Sequence, residues 1–474
     1  MDFTFRFLGG LARRLPAVAA LVKPLLLPLI HHLLRVRSRV SMVDRQEEEA
    51  NAYLAAMIDS VGSLGVGAKA DGRDVLMLVV SDLRIDPRVR SEAMALAEAG
   101  YRVTVVCPSP FADTQMPPVI DWGKGVDICY VSVACGNYLS VRPGFEGGLL
   151  YDVIAREFAD RSFLAVHAHD LNTAYVALAF ARLKGAHLVV DFHEWTSENV
   201  HWDDVAKSWL PYPQDWKEKL QALERRIMRQ ASAVITVCDS IADAIAEELG
   251  NGRCPHVIRN IPALSALTTK NYCSSLKEQL GLNRDQFLLL WQGGTGPTRL
   301  IEPIIAALEF APDCVFAIRG PSLETFGPQY KAIAEEAGAG DRLILLDPVS
   351  SSDVVGAARG ADAGVWSLPR LCRNFTYALP NKIFEYTASN LALLVADYPE
   401  ARRMVETYCI GLAFDPYDPR SIAVAINRLI GEPGLASGFR ANTHAALESL
   451  DAESEWKKLV TLYDALPRNG GAVS

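Results

Sequence analysis

Buried-strand patterns alternate with helical periodicity through most of the chain. Residues 74–80 (DVLMLVV) are apolar after the first position over the length of a strand, and residues 90–100 repeat apolar positions with a helical period and end in glycine. Residues 101–107 (YRVTVVC) form a second apolar run. The order strand, helix, strand predicts a parallel sheet, because parallel neighbours need a crossover connection.

The alternation continues in two blocks. In the first block, further strands are predicted over residues 163–167, 187–190 and 233–237, and helices over residues 172–184, 214–231 and 240–249. The pattern breaks near residue 259, and we predict that residues 263–284 form a connection with one short helix. In the second block, strands are predicted over residues 287–291, 314–318, 343–346, 363–366 and 391–396, with helical stretches between them that include residues 300–307. The sequence therefore predicts an α/β protein with two doubly wound halves, each binding its ligand at the carboxyl ends of its strands.

The length supports the same division, because 474 residues exceed what one compact core usually holds. We assign residues 1–72 to an N-terminal extension and linker, and residues 73–262 to an N-terminal Rossmann-like domain. Residues 263–434 are assigned to a C-terminal Rossmann-like domain, and residues 435–474 to a C-terminal helix and tail.

The first 40 residues differ in charge from the rest of the chain. They carry seven arginines and lysines against one aspartate, whereas the whole chain has a net charge of −9. Residues 15–34 are strongly apolar, but three prolines and Lys23 interrupt them. We predict a peripheral anchor on the inner membrane surface, with its arginines at anionic headgroups; the alternatives are an arm packed on the protein itself and a cleaved or spanning segment. The acidic remainder argues against a nucleic-acid partner, and nine cysteines without a C-x-x-C motif indicate reduced thiols in the cytoplasm.

Charged residues follow the first predicted strand and the strand that ends near residue 167. The loop over residues 81–88 (SDLRIDPR) has no G-x-G-x-x-G, so it is not a dinucleotide fingerprint. Its Asp82 and Arg84 could bind an acceptor, or the loop could simply cap the next helix. His167, His169 and Asp170 crowd the end of another strand; they could contact substrate hydroxyls, or bind a metal if the fold supplied a further ligand.

The predicted strand over residues 187–190 leads into His193-Glu194. The His193 ring could donate a hydrogen bond to a sugar hydroxyl or to a departing oxyanion, or be a structural histidine. No local spacing requires a metal here, and we predict none.

Two segments of the second half suit an anion. Residues 292–299 (QGGTGPTR) join a strand to a helix, so free amides, the helix dipole and Arg299 could bind a diphosphate. In residues 379–386 (LPNKIFEY), Pro380 precedes a predicted helix whose first amides and Lys382 could meet phosphates. Glu385 lies one turn later and could bind both ribose hydroxyls, or be an ordinary solvated residue.

Taken together, these segments resemble a known enzyme family. The motifs occur in the order SDLRIDPRVRSEAMALAEAGYRVTVV, VHAHD, VVDFHE, ASAVITV, VIRNIP, GGTGPTR and LPNKIFEY. From about residue 74 to residue 430 the chain resembles the retaining glycosyltransferases of the GT-B fold, family-4 type. This implies two Rossmann-like domains facing a central cleft, the first for the acceptor and the second for a nucleotide sugar. It also implies that a helix within residues 435–466 crosses back to the first domain.

The resemblance assigns roles by position. It gives the donor sugar to His193, the ribose to Glu385, and the diphosphate to Arg299 and the loop of Gly293 and Gly294. The amides of Asn381 and Lys382 would face the phosphate and the sugar. We expect His193, Arg299 and Lys382 to carry the catalysis. The residues assigned to the acceptor side are Asp82, Arg84, His169, Asp170 and Glu194.

One position departs from the family pattern. Many members have two glutamates with seven residues between them, whereas here Tyr377 precedes Glu385 at that spacing. This absence favours front-face substitution over a covalent route through a carboxylate. A second departure, Ser389-Asn390, occupies the place of a small residue and glycine, and asparagine tolerates the left-handed conformation. The scheme requires no metal and no cofactor.

The predicted function is transfer of a sugar from a nucleotide sugar to a glycan or lipid-linked acceptor in cell-surface polysaccharide or glycolipid synthesis. Two alternatives stay open. A nucleotide-sugar 2-epimerase has the same fold and would need acids near the sugar, for which Asp170, Asp191 and Glu194 are candidates. A non-catalytic subunit that binds a nucleotide sugar or a partner is the other, because Tyr377 replaces the first glutamate.

Overall fold

The computed structural model describes residues 72–81, 83, 86–108, 120–131, 154–250, 252–262, 274–283 and 285–468. The predicted N-terminal anchor lies outside these residues, as do Asp82 and Arg84. No helix in the described part of the chain combines the length and the apolar character needed to cross a membrane.

The first half is built on a seven-stranded parallel sheet with a separate hairpin. The strands are β1 (Asp74–Leu78), β2 (Arg102–Pro108), β3 (Val126–Val131), β4 (Ala165–His169), β5 (His187–Phe192), β6 (Val200–Asp203), β7 (Ser208–Pro211), β8 (Ala233–Thr236) and β9 (His256–Val257). The sheet order is β3-β2-β1-β4-β5-β8-β9, and β6 and β7 form the antiparallel hairpin. The helices are α1 (Pro87–Glu98), α2 (Asp170–Lys184), α3 (Gln214–Gln230) and α4 (Asp239–Glu248).

The second half repeats the architecture with six parallel strands. These are β10 (Phe287–Gln292), β11 (Cys314–Arg319), β12 (Leu343–Leu346), β13 (Ala363–Trp366), β14 (Ala392–Ala396) and β15 (Gly411–Phe414), in the order β12-β11-β10-β13-β14-β15. The helices are α5 (Leu276–Gln279), α6 (Glu302–Ala306), α7 (Leu323–Glu336), α8 (Val354–Ala358), α9 (Arg373–Thr376), α10 (Asn381–Ala388), α11 (Pro399–Tyr408), α12 (Pro419–Gly431), α13 (Leu435–Ser449) and α14 (Ala452–Asp464).

Both faces of each sheet are buried, which explains the continuous apolar runs. In β1, Leu76 and Leu78 belong to one core cluster, whereas Val75 and Met77 belong to the cluster on the opposite face. The strand order reverses between β1 and β4 and again between β10 and β13. Open α/β sheets bind ligands at such points, so these two places position the site. The predicted α/β class with two Rossmann-like halves is confirmed.

Two predicted helices differ from the structure. The helix expected over residues 300–307 begins only at Glu302, because Leu300 has a left-handed φ of 52°. The helix expected over residues 435–466 is broken into α13 and α14, and the Asp451 carboxylate caps α14 by accepting from the amide of Ser454 at 2.9 Å. Helix α13 packs on the second half through Ala446, whereas α14 packs on the first half through Leu459 and Tyr463.

Candidate active site

The glycine pair after β10 lets two cationic side chains lie against the loop. Gly293 has a φ of 135°, and a Cβ there would lie 2.5 Å from both Cε and Nζ of Lys382. A Cβ on Gly294 would lie 3.0 Å from Nε of Arg299. Glycine at both positions therefore brings Lys382 and Arg299 together at the switch point between β10 and β13.

These cations have little acidic compensation. The Arg299 guanidinium donates to the carbonyl and hydroxyl of Thr298, and within the described residues it forms no ion pair. Burial lowers the pKa of Arg299, and burial likewise lowers the pKa of Lys382 although Glu385 opposes the shift. A partly desolvated positive site of this kind favours an anion with several oxygens, such as a diphosphate.

Helix α10 carries Lys382 and Glu385 and is locked against the end of β10. Gly364 makes room for the Tyr386 ring, which lies 2.4 Å from where a Cβ would be, so that the Tyr386 hydroxyl accepts from the Gln292 amide at 2.8 Å. In the described part of the chain no side chain caps the first turn of α10, whose amides include those of Asn381 and Lys382. Burial raises the pKa of the Glu385 carboxyl, while nearby Lys382 lowers it.

His193, directly after β5, is held between two carboxylates. Its Nε2 lies 3.0 Å from Oδ2 of Asp191, its Nδ1 lies 3.6 Å from Oδ2 of Asp170, and its amide donates to Asp170 at 3.0 Å. Burial alone would lower the pKa of His193, but the two carboxylates raise it to about 10. The ring is therefore an imidazolium at neutral pH, and its Nδ1–H is the donor left for a sugar oxygen.

A buried ion pair holds Asp191, the carboxylate that contacts Nε2 of His193. Arg88 donates to Asp191 from Nε at 2.7 Å and from Nη2 at 2.8 Å, and its Nε also lies 3.2 Å from Glu92. Burial raises the pKa of Asp191, but Arg88 and His193 outweigh it and hold that pKa well below its usual range; burial raises the pKa of Glu92. Arg88 and Glu92 were not predicted from the sequence; the available signal was an arginine and a glutamate four residues apart on the apolar face of α1.

Two further histidines connect this cluster to α14. His169 Nδ1 lies 3.1 Å from His193 Nε2, and the rings of His169 and His167 stack with centroids 4.5 Å apart. His167 Nδ1 lies 2.8 Å from the hydroxyl of Tyr463. Tyr463, on the helix that crosses between the halves, thus belongs to the support of the site.

The residues assigned to the acceptor side lie at different depths. His169 is buried behind His193, whereas Glu194 is exposed and the Asp170 side chain is 37% exposed. In the loop after β1, Asp86 caps α1 by accepting from the Val89 amide at 3.2 Å, which agrees with the helix-cap alternative for that loop.

Within the described residues, four possible metal ligands cluster in the first half. Donor atoms of Glu92, His167, His169 and Asp191 all lie within 4.8 Å of one another. The Arg88 guanidinium already contacts both carboxylates, so a divalent cation would enter against an existing positive charge. These residues therefore fit a metal poorly.

Tyr377, at the position of the missing glutamate, belongs to the seam between the halves. Its carbonyl accepts from Cys238 Sγ at 3.3 Å, and the Arg373 guanidinium lies 5.3 Å from its ring centroid and 4.4 Å from that of Trp195. A phenol therefore occupies this place, and a nucleophilic carboxylate does not.

Comparison with known proteins agrees with this architecture. A family model described as glycosyl transferase 4-like domain matches residues 85–260. No curated protein matches the sequence.

Several solved structures are similar to the chain. Sucrose-phosphate synthase from Thermosynechococcus elongatus has a TM-score of 0.63 and 16% identity, covering 83% of this chain and 98% of that chain. HepE from Anabaena in complex with UDP-glucose has a TM-score of 0.59 and 15% identity, covering 83% and 100%. WaaG, a glycosyltransferase involved in lipopolysaccharide biosynthesis, has a TM-score of 0.55 and 15% identity, covering 82% and 100%. The shared fold is GT-B, with two facing Rossmann-like domains.

Proposed function

We propose that this chain, a glycosyltransferase of the GT-B type, transfers a sugar from a nucleotide diphosphate sugar to a glycan or lipid-linked acceptor and retains the anomeric configuration. The product would be a cell-surface polysaccharide or glycolipid. WaaG, one of the similar structures, is a glycosyltransferase involved in lipopolysaccharide biosynthesis. We place the reaction at the cytoplasmic face of the inner membrane, with residues 1–40 as a peripheral anchor.

The observation that carries the proposal is the pair of cations at the glycine loop. Arg299 and Lys382 converge there, and among the described residues Glu385 is the acid that influences Lys382. A nucleotide diphosphate supplies the missing negative charge, and its ribose hydroxyls suit the carboxylate of Glu385. HepE, with the same fold, is a complex with UDP-glucose, which supports a donor of this class.

The proposed chemistry is a front-face substitution. The acceptor hydroxyl attacks the anomeric carbon from the side on which the diphosphate leaves, a new C–O bond forms, and the electron pair of the old bond goes to the diphosphate. The acceptor proton passes to the departing phosphate oxygen. Tyr377 supports this route, because it offers no carboxylate for a covalent intermediate.

The protein's part is to stabilise charge and to orient the sugar. Arg299, Lys382 and the uncapped amides of α10 stabilise the developing diphosphate charge, so no metal is needed in this scheme. The imidazolium of His193 donates to the sugar or to a phosphate oxygen, held in place by Asp170 and Asp191.

The epimerase alternative finds less support. Asp191 is engaged by two hydrogen bonds from Arg88 and its pKa is held low, which makes it a poor base. A non-catalytic binding subunit would share the donor site but lack turnover.

Ligand binding tests the proposal. We expect one nucleoside diphosphate from a panel to raise the melting temperature of the protein, and Glu385→Ala and Arg299→Ala to abolish the shift. Release of that diphosphate from its sugar only when an acceptor is supplied would then separate a transferase from a binding subunit. Failure of every nucleoside diphosphate and nucleotide sugar to bind would refute the donor site.

A further inference from the structure

We propose that a pocket at the seam between the two halves binds an anionic group of the acceptor, either a phosphate or a carboxylate. This inference rests on the proposed function and adds the chemical class of the acceptor. The pocket measures about 350 Å³. Its wall from the first half comprises residues 197–199, 211, 212 and 217, and its wall from the second half comprises residues 370–373 and 376.

Cations outnumber acids on the walls of this pocket. Lys217, Arg370 and Arg373 line it, and Glu198 is the single carboxylate among the lining residues. Lys217 Nζ lies 2.6 Å from Oε1 of Glu198, whose side chain is only 5% exposed. Among the residues that line the pocket, positive charges therefore exceed negative ones by two.

The other two cations each pair with an acid outside the pocket, and Arg373 Nη1 also lies 3.8 Å from Oε1 of Glu198. Arg373 Nη1 lies 2.5 Å from Glu248, and Arg370 Nη2 lies 3.2 Å from Asp415, and neither of these acids lines the pocket. Arg370 also lies over the ring of Tyr417, 5.4 Å from its centroid. Both guanidiniums are thus fixed at the pocket walls with donors to spare, since each carries five.

The pocket adjoins the proposed reaction centre along the chain on both sides. Trp195, under the Arg373 guanidinium, is the second residue after His193, and its amide donates to Asn374 at 3.0 Å. On the other wall, α9 leads through Tyr377 into α10, which carries the donor-site residues Lys382 and Glu385. An acceptor anchored here by its anionic group would reach the cleft with its hydroxyl.

Charge-assisted hydrogen bonds explain why an anion would prefer this place. Such bonds are about twice as strong as neutral ones, and the side chains of Lys217 and Arg373, which are 29% and 34% exposed, are screened less than fully exposed cations would be. Its volume suits one charged sugar unit or a phosphate with part of a sugar attached. A neutral acceptor would not form charge-assisted hydrogen bonds with the three cations.

The test compares a pocket variant with a charge-matched control. The pocket variant is Lys217→Gln with Arg370→Gln, and the control is Lys219→Gln on the same helix with exposed Arg428→Gln on α12. Glucose 6-phosphate, glucuronate and uncharged glucose are titrated into each full-length protein by calorimetry, with and without saturating UDP. We expect the charged sugars to bind the wild type and the control alike, and to bind the pocket variant at least about tenfold more weakly.

A vesicle arm identifies the source of the anion. Phosphatidylcholine vesicles with and without phosphatidic acid are tested by flotation with the same proteins. Pocket-dependent binding of the vesicles alone indicates a lipid phosphate, whereas pocket-dependent binding of the charged sugars indicates a soluble or glycan acceptor. The proposal is overturned if charged and uncharged sugars bind equally, if no probe binds, or if the pocket variant behaves like the control. Titration of UDP into every variant reports separately on the donor site. If UDP does not bind the wild type, that result counts against the proposed function and not against the pocket.

Discussion

Replacing Gly293 by alanine should damage the donor site through one side chain. The new Cβ would lie 2.5 Å from Cε and Nζ of Lys382, whereas ordinary contacts begin near 3.4 Å. The ammonium group of Lys382 must therefore move away by about 1 Å, because its flexible side chain yields more easily than the backbone of the loop. The φ of 135° at this position adds backbone strain for any residue with a Cβ.

Two energies follow from this geometry. The strain of a non-glycine residue at such a φ lowers the free energy of unfolding by about 1–3 kcal/mol. A lost hydrogen bond from a charged group costs about 1.5–3 kcal/mol, and every 1.4 kcal/mol is a factor of ten in affinity. We therefore expect Gly293→Ala to weaken UDP binding by about 10- to 100-fold while leaving the protein folded.

Calorimetric titration of UDP and urea unfolding measure the two effects separately. The matched control is Gly438→Ala in α13, where a Cβ meets nothing within 4 Å and a helical alanine should stabilise by about 0.5–1 kcal/mol. In a Lys382→Ala background, Gly293→Ala should cost almost no further affinity, since the displaced group is already gone. Wild-type UDP affinity in folded Gly293→Ala, or additive losses in the double variant, would refute the placement of Lys382 against the diphosphate.

Three further predictions concern the remaining parts of the site. Glu385→Ala should weaken UDP binding and remove the preference for UDP over 2′-deoxy-UDP, measured by calorimetry; a retained preference would exclude a ribose contact. Asp191→Asn removes the carboxylate that accepts two hydrogen bonds from Arg88 and leaves Glu92, whose pKa burial raises, as the remaining described carboxylate beside it; the free energy of unfolding in urea should fall by about 3–5 kcal/mol, and a loss below 1 kcal/mol would contradict that pairing. Because the pKa of His193 is raised to about 10, its stabilising charge is fully present below the ordinary histidine pKa and is lost as pH rises towards 10. The wild type should therefore lose stability over that range by at most about 1.4 kcal/mol per pH unit, His193→Gln should lose less, and identical pH profiles would argue against the imidazolium.

The fold was largely predictable because its strands are buried on both faces. Continuous apolar runs such as those of β1 and β10 need no long-range information to be recognised. The hairpin of β6 and β7 was not predicted, since its four-residue strands are short and keep Trp202 and Trp209 largely exposed. The break between α13 and α14 was also missed, because the Asp451 cap interrupts an otherwise continuous helical pattern.

The two parts of the site differed in how far the sequence revealed them. Lys382 and Glu385 lie in one short motif, and the glycine loop carries Arg299 nearby, so local patterns were sufficient to propose them. The support of His193 depends on distant pairs: Arg88 and Asp191 are 103 residues apart, and His167 and Tyr463 are 296 apart. Only the fold brings such partners together, and no local spacing in the sequence predicts them.

The balance of charge differs between the two sides of the cleft. On one side the charges are paired within the protein, whereas on the other they still need a ligand. Around His193, Arg88 and the imidazolium face the carboxylates of Asp170 and Asp191, with Glu92 beside Arg88, so the charges of this cluster are paired within the protein itself. At the glycine loop, Arg299 and Lys382 face one carboxyl whose own pKa is raised by burial. Desolvated charge without a partner is costly in a folded protein and persists where a ligand completes it. We therefore expect the first cluster to act as a rigid support and the second to bind a diphosphate.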